Sequence, residues 1–151
     1  MKSNRQDGPR CGSDYGPEPF VVDIESATRQ NKAFRTALWT GCYLQLTLMC
    51  IKDEIGLEMH GDTDQFLRIE EGSALVMMGK SRDNLNFQTK VGKDCAIFIP
   101  AGTWHNIVNC GRKPVKLYSI YAPPHHPRGT VHRTREEAER EEHREEAVKK
   151  A

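Results

Sequence analysis

The stretch GLEMHGDTDQFLRIEEG, residues 56–72, places a glutamate, a histidine, two aspartates and a glutamine within a run that otherwise alternates like a strand. Carboxylate oxygens and imidazole nitrogens are the ligand types that divalent transition metals accept, so metal binding is the chemistry to weigh. In an extended chain Glu58 and His60 project to one face while Leu57 and Met59 project to the other. After the turn GDT, a second strand carries Gln65, Leu67 and Ile69 on one face and Phe66, Arg68 and Glu70 on the opposite one, leaving Gln65 as the polar residue at the mouth. Taken singly, each has an ordinary reading as a solvent-facing carboxylate, a hydrogen-bonded turn histidine or a strand-end amide. Asp62 and Asp64 fit turn capping better than coordination.

The later stretch DCAIFIPAGTWHNIVN, residues 94–109, changes that weighing. Its apolar strand ends in Pro100-Ala101-Gly102, where proline fixes one dihedral and glycine frees another, so a sharp turn aims His105 back toward the strand it left. The pattern P-x-G-x-x-H-x-x-x-N, met here by Pro100, Gly102, His105 and Asn109, resembles the second signature of the cupin superfamily. The first cupin signature, G-x5-H-x-H-x3,4-E-x6-G, is met in part. Counting back from Gly72, Gln65 falls at the signature glutamate, His60 at its second histidine and Glu58 at its first. Asp94 stands where the second signature opens with glycine. The resemblance covers about residues 40–122, and stretches such as FRTALWTG and YSIYAPPHHP resemble a group of short bacterial cupins.

This resemblance implies an all-β jelly-roll barrel, the double-stranded β-helix, with a metal held by Glu58, His60, His105 and Gln65. Gln65 stands either as a ligand or as the hydrogen-bonding partner of a bound water or substrate. Two imidazoles, one carboxylate and an amide oxygen suit a divalent transition metal (Fe, Mn, Ni, Co or Zn) with positions left open. Two function classes follow: a metal-dependent small-molecule enzyme of oxygenase or sugar isomerase/epimerase type, or a metal-free small-molecule-binding module. A phosphosugar site needs arginine or lysine donors inside the barrel, and Arg68 has the wrong parity for that.

The elements that must position these residues are short. The runs FVV, YLQLTLMCI, GLEMH, QFLRI, ALVMM, LNFQT, CAIFI, HNIVN and VKLYSIY, broken by Gly, Pro, Asn and Asp, predict a sandwich or barrel. Only IESATRQNKAFRTAL reads as helical, and only in part. Residues 1–18 are expected to be a disordered tail, 19–133 the jelly-roll domain and 134–151 a charged, solvated helix that docks weakly at most. A strap containing His125, His126 and His132 is expected along the barrel surface. Edge strands, with FVVDI and that strap, predict a homodimer.

With 22 Lys plus Arg against 21 Asp plus Glu, no global field directs the chain to nucleic acid or an anionic membrane, so the partner is expected to be a small molecule. Five widely spaced cysteines without a CxxC pair indicate reduced thiols rather than a disulfide framework. No apolar run has the length of a signal peptide or membrane span, and the expected location is the cytoplasm.

Overall fold

The computed structural model describes residues 14–150. Strands β1 (Arg35–Thr40), β2 (Gln45–Ile51), β3 (Asp64–Glu71), β6 (Ala96–Ile99), β8 (Val115–Ala122) and β9 (Val131–His132) form one sheet in the order β6-β3-β8-β2-β1-β9. A second sheet, ordered β5-β4-β7, is built from β4 (Ala74–Gly79), β5 (Phe87–Val91) and β7 (Trp104–Asn109). All the strand pairs are antiparallel, and the two sheets make the expected jelly roll.

Strand alternation decides what lies inside. Leu67, Ile69, Met49, Ile51, Val115 and Leu117 of the large sheet meet Val76 and Ile107 of the small one in a closed apolar cluster. One end of this interior is apolar. The other end carries Gln45, Thr47, Gln65, Ser119 and Tyr121, all buried and on the same inward parity.

The outer face of the large sheet is apolar as well: Leu38, Leu46, Leu48 and Tyr118 form a second cluster packed by Tyr15, Phe20 and Ala27. This is why all seven residues of β2 are buried. Helix α1 (Ile24–Gln30) forms part of that cover, capped by Asp23, whose carboxylate accepts from the Ser26 amide at 3.1 Å. The helical reading of IESATRQNKAFRTAL therefore holds only for its first seven residues, and its last four open β1.

The expected tail also ends earlier than residue 18. Residues 1–13 lie outside the described residues, but Tyr15 stacks on Phe20 and its amide donates to Leu38 O at 2.9 Å. Asp14 accepts from the amide and hydroxyl of Thr40, at 3.0 and 2.6 Å. The pairing partner of this segment is the exposed face of the sheet, which composition alone cannot reveal. The segments invoked for a two-fold contact are thus engaged within the chain, Phe20 and Val22 against this face.

Helix α2 (Arg135–Lys150) is anchored at its start rather than merely solvated. Thr134 caps it, accepting from the Glu137 amide at 3.2 Å, while the Glu137 carboxylate takes the Arg133 amide at 3.0 Å. Ala138, 3% exposed, enters the interior cluster, and Arg135 pairs with Glu54 at 3.0 Å. Residues 142–149 are exposed. Among the described residues no helix is long and apolar enough to cross a membrane.

Candidate metal centre

GLEMH does not form a regular strand. It makes a single antiparallel bridge, Glu58 to His105 of β7, with Glu54 bridged to Val108 beyond it. That one bridge is enough to set parity: Glu58 and His60 point inward, and Leu57 and Met59 are exposed. The Pro100–Gly102 turn brings the third residue. Gly102 has φ +81, a left-handed conformation natural to glycine, and its amide donates to His60 O at 2.8 Å. The turn that launches β7 is therefore bonded directly to His60. Asp64 caps the same turn, accepting from the Ala101 amide at 2.9 Å, which is the capping role its spacing predicts.

One ligand atom each from Glu58, His60 and His105 lies within 4.8 Å of the others. Glu58 Oε1 is 3.3 Å from His105 Nε2 and 3.4 Å from His60 Nε2, so a single carboxylate oxygen faces both imidazoles. His105 Nδ1 lies 2.9 Å from Thr103 O, and since a carbonyl only accepts, Nδ1 carries the proton there. This leaves Nε2 as the coordinating nitrogen and fixes the ring plane. His105 is 1% exposed and His60 7%, whereas the Glu58 side chain keeps 17%. Burial alone would raise the Glu58 carboxyl, but the hydrogen bond to His105, the facing His60 imidazole and the positive charge of Arg35 outweigh it and hold the group well below the usual carboxylate range.

Gln65 occupies the inward position expected of it, with its amide nitrogen donating to Ser119 Oγ at 2.8 Å. Its Oε1 is buried without a partner, as is His60 Nε2. Buried polar atoms left unpaired in this way call for a missing partner.

The expected strap is at the surface, with Pro123, His125, Pro127 and Arg128 exposed, but it runs across the barrel mouth. The backbone amides of His125 and His126 both donate to Gln45 Oε1, at 3.2 and 2.9 Å, and Gln45 Nε2 donates to His126 O at 2.9 Å. Gln45 is fully buried, so it pulls the strap across the barrel mouth. The His125 ring then sits 4.0 Å, centroid to centroid, from His60, and 5.6 Å from Tyr121. Burial, reinforced by His60, pushes His125 down to about 4; burial and Arg35 push His126 lower still. His132 turns inward too, its Nδ1 3.1 Å from the Arg35 guanidinium and its Nε2 2.6 Å from Glu141. Sequence reasoning missed Gln45, Tyr121 and Arg35. The alternation in VKLYSIYA could have assigned Tyr121 an inward place, whereas Arg35 sat in a segment that read as helical.

A family model described as the cupin domain matches residues 47–121. The chain is 59% identical over 140 residues to the uncharacterized protein YrkC of Bacillus subtilis, covering 91% of this chain and 75% of YrkC. A crystal structure of BH2720 from Bacillus halodurans superposes with TM-score 0.82 at 62% identity, covering 83% of this chain and 96% of that one. The chain is a cupin. A Klebsiella pneumoniae protein with a double-stranded β-helix domain shares the fold alone, at TM-score 0.58 and 15% identity over 78% of this chain and all of that one.

As a cupin, this chain departs from the signatures in ways its structure explains. Asp94, at the position of the signature glycine, adopts φ +72, keeping the glycine's backbone conformation in a residue that tolerates it. Its carboxylate pairs with Arg68 at 3.1 Å. The signature asparagine of this cupin, Asn109, is structural: its amide nitrogen reaches Lys52 O at 3.0 Å and Lys113 O at 2.9 Å, tying the ends of β2, β7 and β8 together.

Proposed function

We propose that this cupin is a metal-dependent enzyme acting on a small molecule, with Glu58, His60 and His105 holding one divalent transition metal. The observation that carries this reading is the single Glu58 oxygen facing two imidazole nitrogens, within 4.8 Å, in a buried chamber. Two histidines and one carboxylate form the donor set of mononuclear sites with open positions, and the unpartnered His60 Nε2 and Gln65 Oε1 fit such an ion. When bound, the metal supplies Lewis-acid chemistry, or redox chemistry if it is iron, to an oxygen-bearing substrate.

The chain's own groups do the rest. Thr103 O orients His105, and Ser119 orients Gln65 so that its free oxygen serves as ligand or as acceptor for a bound water or substrate hydroxyl. Glu58 is the most exposed of the three ligands, which supports substrate entry from its side of the mouth. The ring of His125, tilted against His60 at a centroid distance of 4.0 Å, covers the other side.

Protein purified without chelators and analysed for elements tests the reading. About one divalent ion per chain is expected, lost in His105→Ala. Wild-type protein that stays empty when offered Fe, Mn, Ni, Co and Zn would leave a metal-free binding module in its place.

A further inference from the structure

The barrel interior holds one more charged group. Arg35, 1% exposed, points inward from β1 beside its register partners Met49 and His132. Among the described residues no carboxylate lies within ion-pair distance of it, and its Nε is buried without a partner. A buried guanidinium with neither a carboxylate nor a hydrogen-bond acceptor at Nε is costly unless something else neutralises it.

A chain of side-chain contacts links it to the triad's chamber. Arg35 reaches His132 at 3.1 Å, the His132 ring lies 6.2 Å from that of His126, His126 Nε2 is 3.4 Å from the Tyr121 hydroxyl, and the Tyr121 ring lies 5.8 Å from His60. Arg35 is also held in place. Its N–H donates to His132 Nδ1, so the His132 proton sits on Nε2, which donates to Glu141 of α2 at 2.6 Å. A carboxylate on the helix therefore positions an arginine in the barrel through a histidine, and leaves the Nε edge of the fork free.

We propose that Arg35 is the anion-binding residue of this chamber and that the substrate is a small carboxylate, its carboxylate gripped by Arg35 and its remaining oxygen functions turned toward Glu58, His60 and His105. This rests on the metal reading for the orientation of the substrate, but not for its charge. Glu58 and Arg35 cancel, so a divalent ion leaves the chamber at about +2, a charge that an organic anion offsets. A single planar fork matches a carboxylate, whereas a phosphate dianion needs more cations, and no lysine is among the buried residues. Thr47 Oγ1, buried, inward and unpartnered, is a further hydroxyl available to such a ligand.

Titration calorimetry with malonate, and with malonamide as its neutral counterpart, tests the proposal on the full chain. Wild type should bind malonate at least about tenfold tighter than malonamide; Arg35→Gln should lose that preference, and Glu141→Gln, an exposed change, should weaken it severalfold by freeing His132 and Arg35. Equal affinity for the two compounds in wild type overturns the proposal without recourse to any variant, as does undiminished malonate binding by folded Arg35→Gln. Metal content measured on the same samples reads the proposed function separately. Empty protein that still prefers malonate through Arg35 supports the anion site while removing the metal. Loaded protein that binds malonate regardless of Arg35 keeps the metal and overturns the anion site.

Discussion

Glu58 and His105 are joined at both backbone and side chain: each amide donates to the other's carbonyl, at 3.0 and 2.9 Å, and the Glu58 carboxylate meets His105 Nε2 at 3.3 Å. Two ligands of the proposed metal are thus set opposite each other by the fold before any ion arrives. The barrel's apolar half needs no metal to close. The metal-free protein should therefore fold, and metal should add stability by mass action, about 2.7 kcal/mol at a free concentration one hundred times the dissociation constant. For a chain of this size the melting temperature should rise by about 5–10 °C. His105→Ala or His60→Ala should abolish the rise in a thermal melt.

Gln65→Glu should keep or enlarge that rise, because Ser119 can turn its hydroxyl to donate to the new carboxylate, which is the stronger ligand. Asp64→Asn should leave it unchanged, since an asparagine oxygen can still accept from Ala101. A larger effect from Asp64 than from Gln65 would place the ion at the turn.

Gln45 holds the strap over the site through three hydrogen bonds, to the amides of His125 and His126 and to His126 O, and is itself anchored by a fourth to Thr40 Oγ1 of β1. Gln45→Leu preserves the volume but strands two amides and a carbonyl, so it should cost about 3 kcal/mol in urea unfolding. Released from His60, His125 should also become more reactive toward histidine-modifying reagents. Unchanged reactivity with a full loss of stability would mean that the strap is held by other contacts.

Acid should destabilise the metal-free protein in a defined window. His125 is held down to about 4 in the fold, and His126 lies lower, against about 6.5 in an unfolded chain. Between these values the unfolded state binds more protons, so stability falls as pH drops from about 6.5 toward 4. Below the usual carboxylate range Glu58, depressed in the fold, adds a further loss in the same direction. Denaturant midpoints at pH 7.5, 6 and 5 should decline steadily in wild type, and less steeply in His126→Asn.

Much of this was legible in the sequence for a simple reason: period-two alternation and the turn Pro100-Ala101-Gly102 are local, and with the one bridge from Glu58 to His105 they place Glu58, His60, Gln65 and His105 inward. What was not legible depended on distant partners. That the surface strap at His125 and His126 crosses the barrel mouth shows only once Gln45, some 80 residues away, is seen to bind it. Residues 14–18 read as tail until the outer face of the sheet is seen to need Tyr15. Arg35 was hidden because AFRTAL has no polarity pattern of its own; its pairing with Met49 decides that it is a strand and which way the arginine points.

Asp94 offers a test of how the signature glycine was replaced. A non-glycine residue at φ +72 costs about 1 kcal/mol, less for aspartate than for most. Against that stands the ion pair with Arg68, whose partners are 40% and 65% exposed and which is worth at most about 1 kcal/mol. Asp94→Gly removes both terms, so the two effects should nearly cancel, with a change within about 0.5 kcal/mol. Asp94→Val removes the ion pair and worsens the backbone strain, because a β-branched side chain resists positive φ, and should cost about 2 kcal/mol or more. Equilibrium urea unfolding of the pair separates the terms. If glycine destabilised the protein as much as valine, the Arg68 contact rather than the backbone would be what this position supplies.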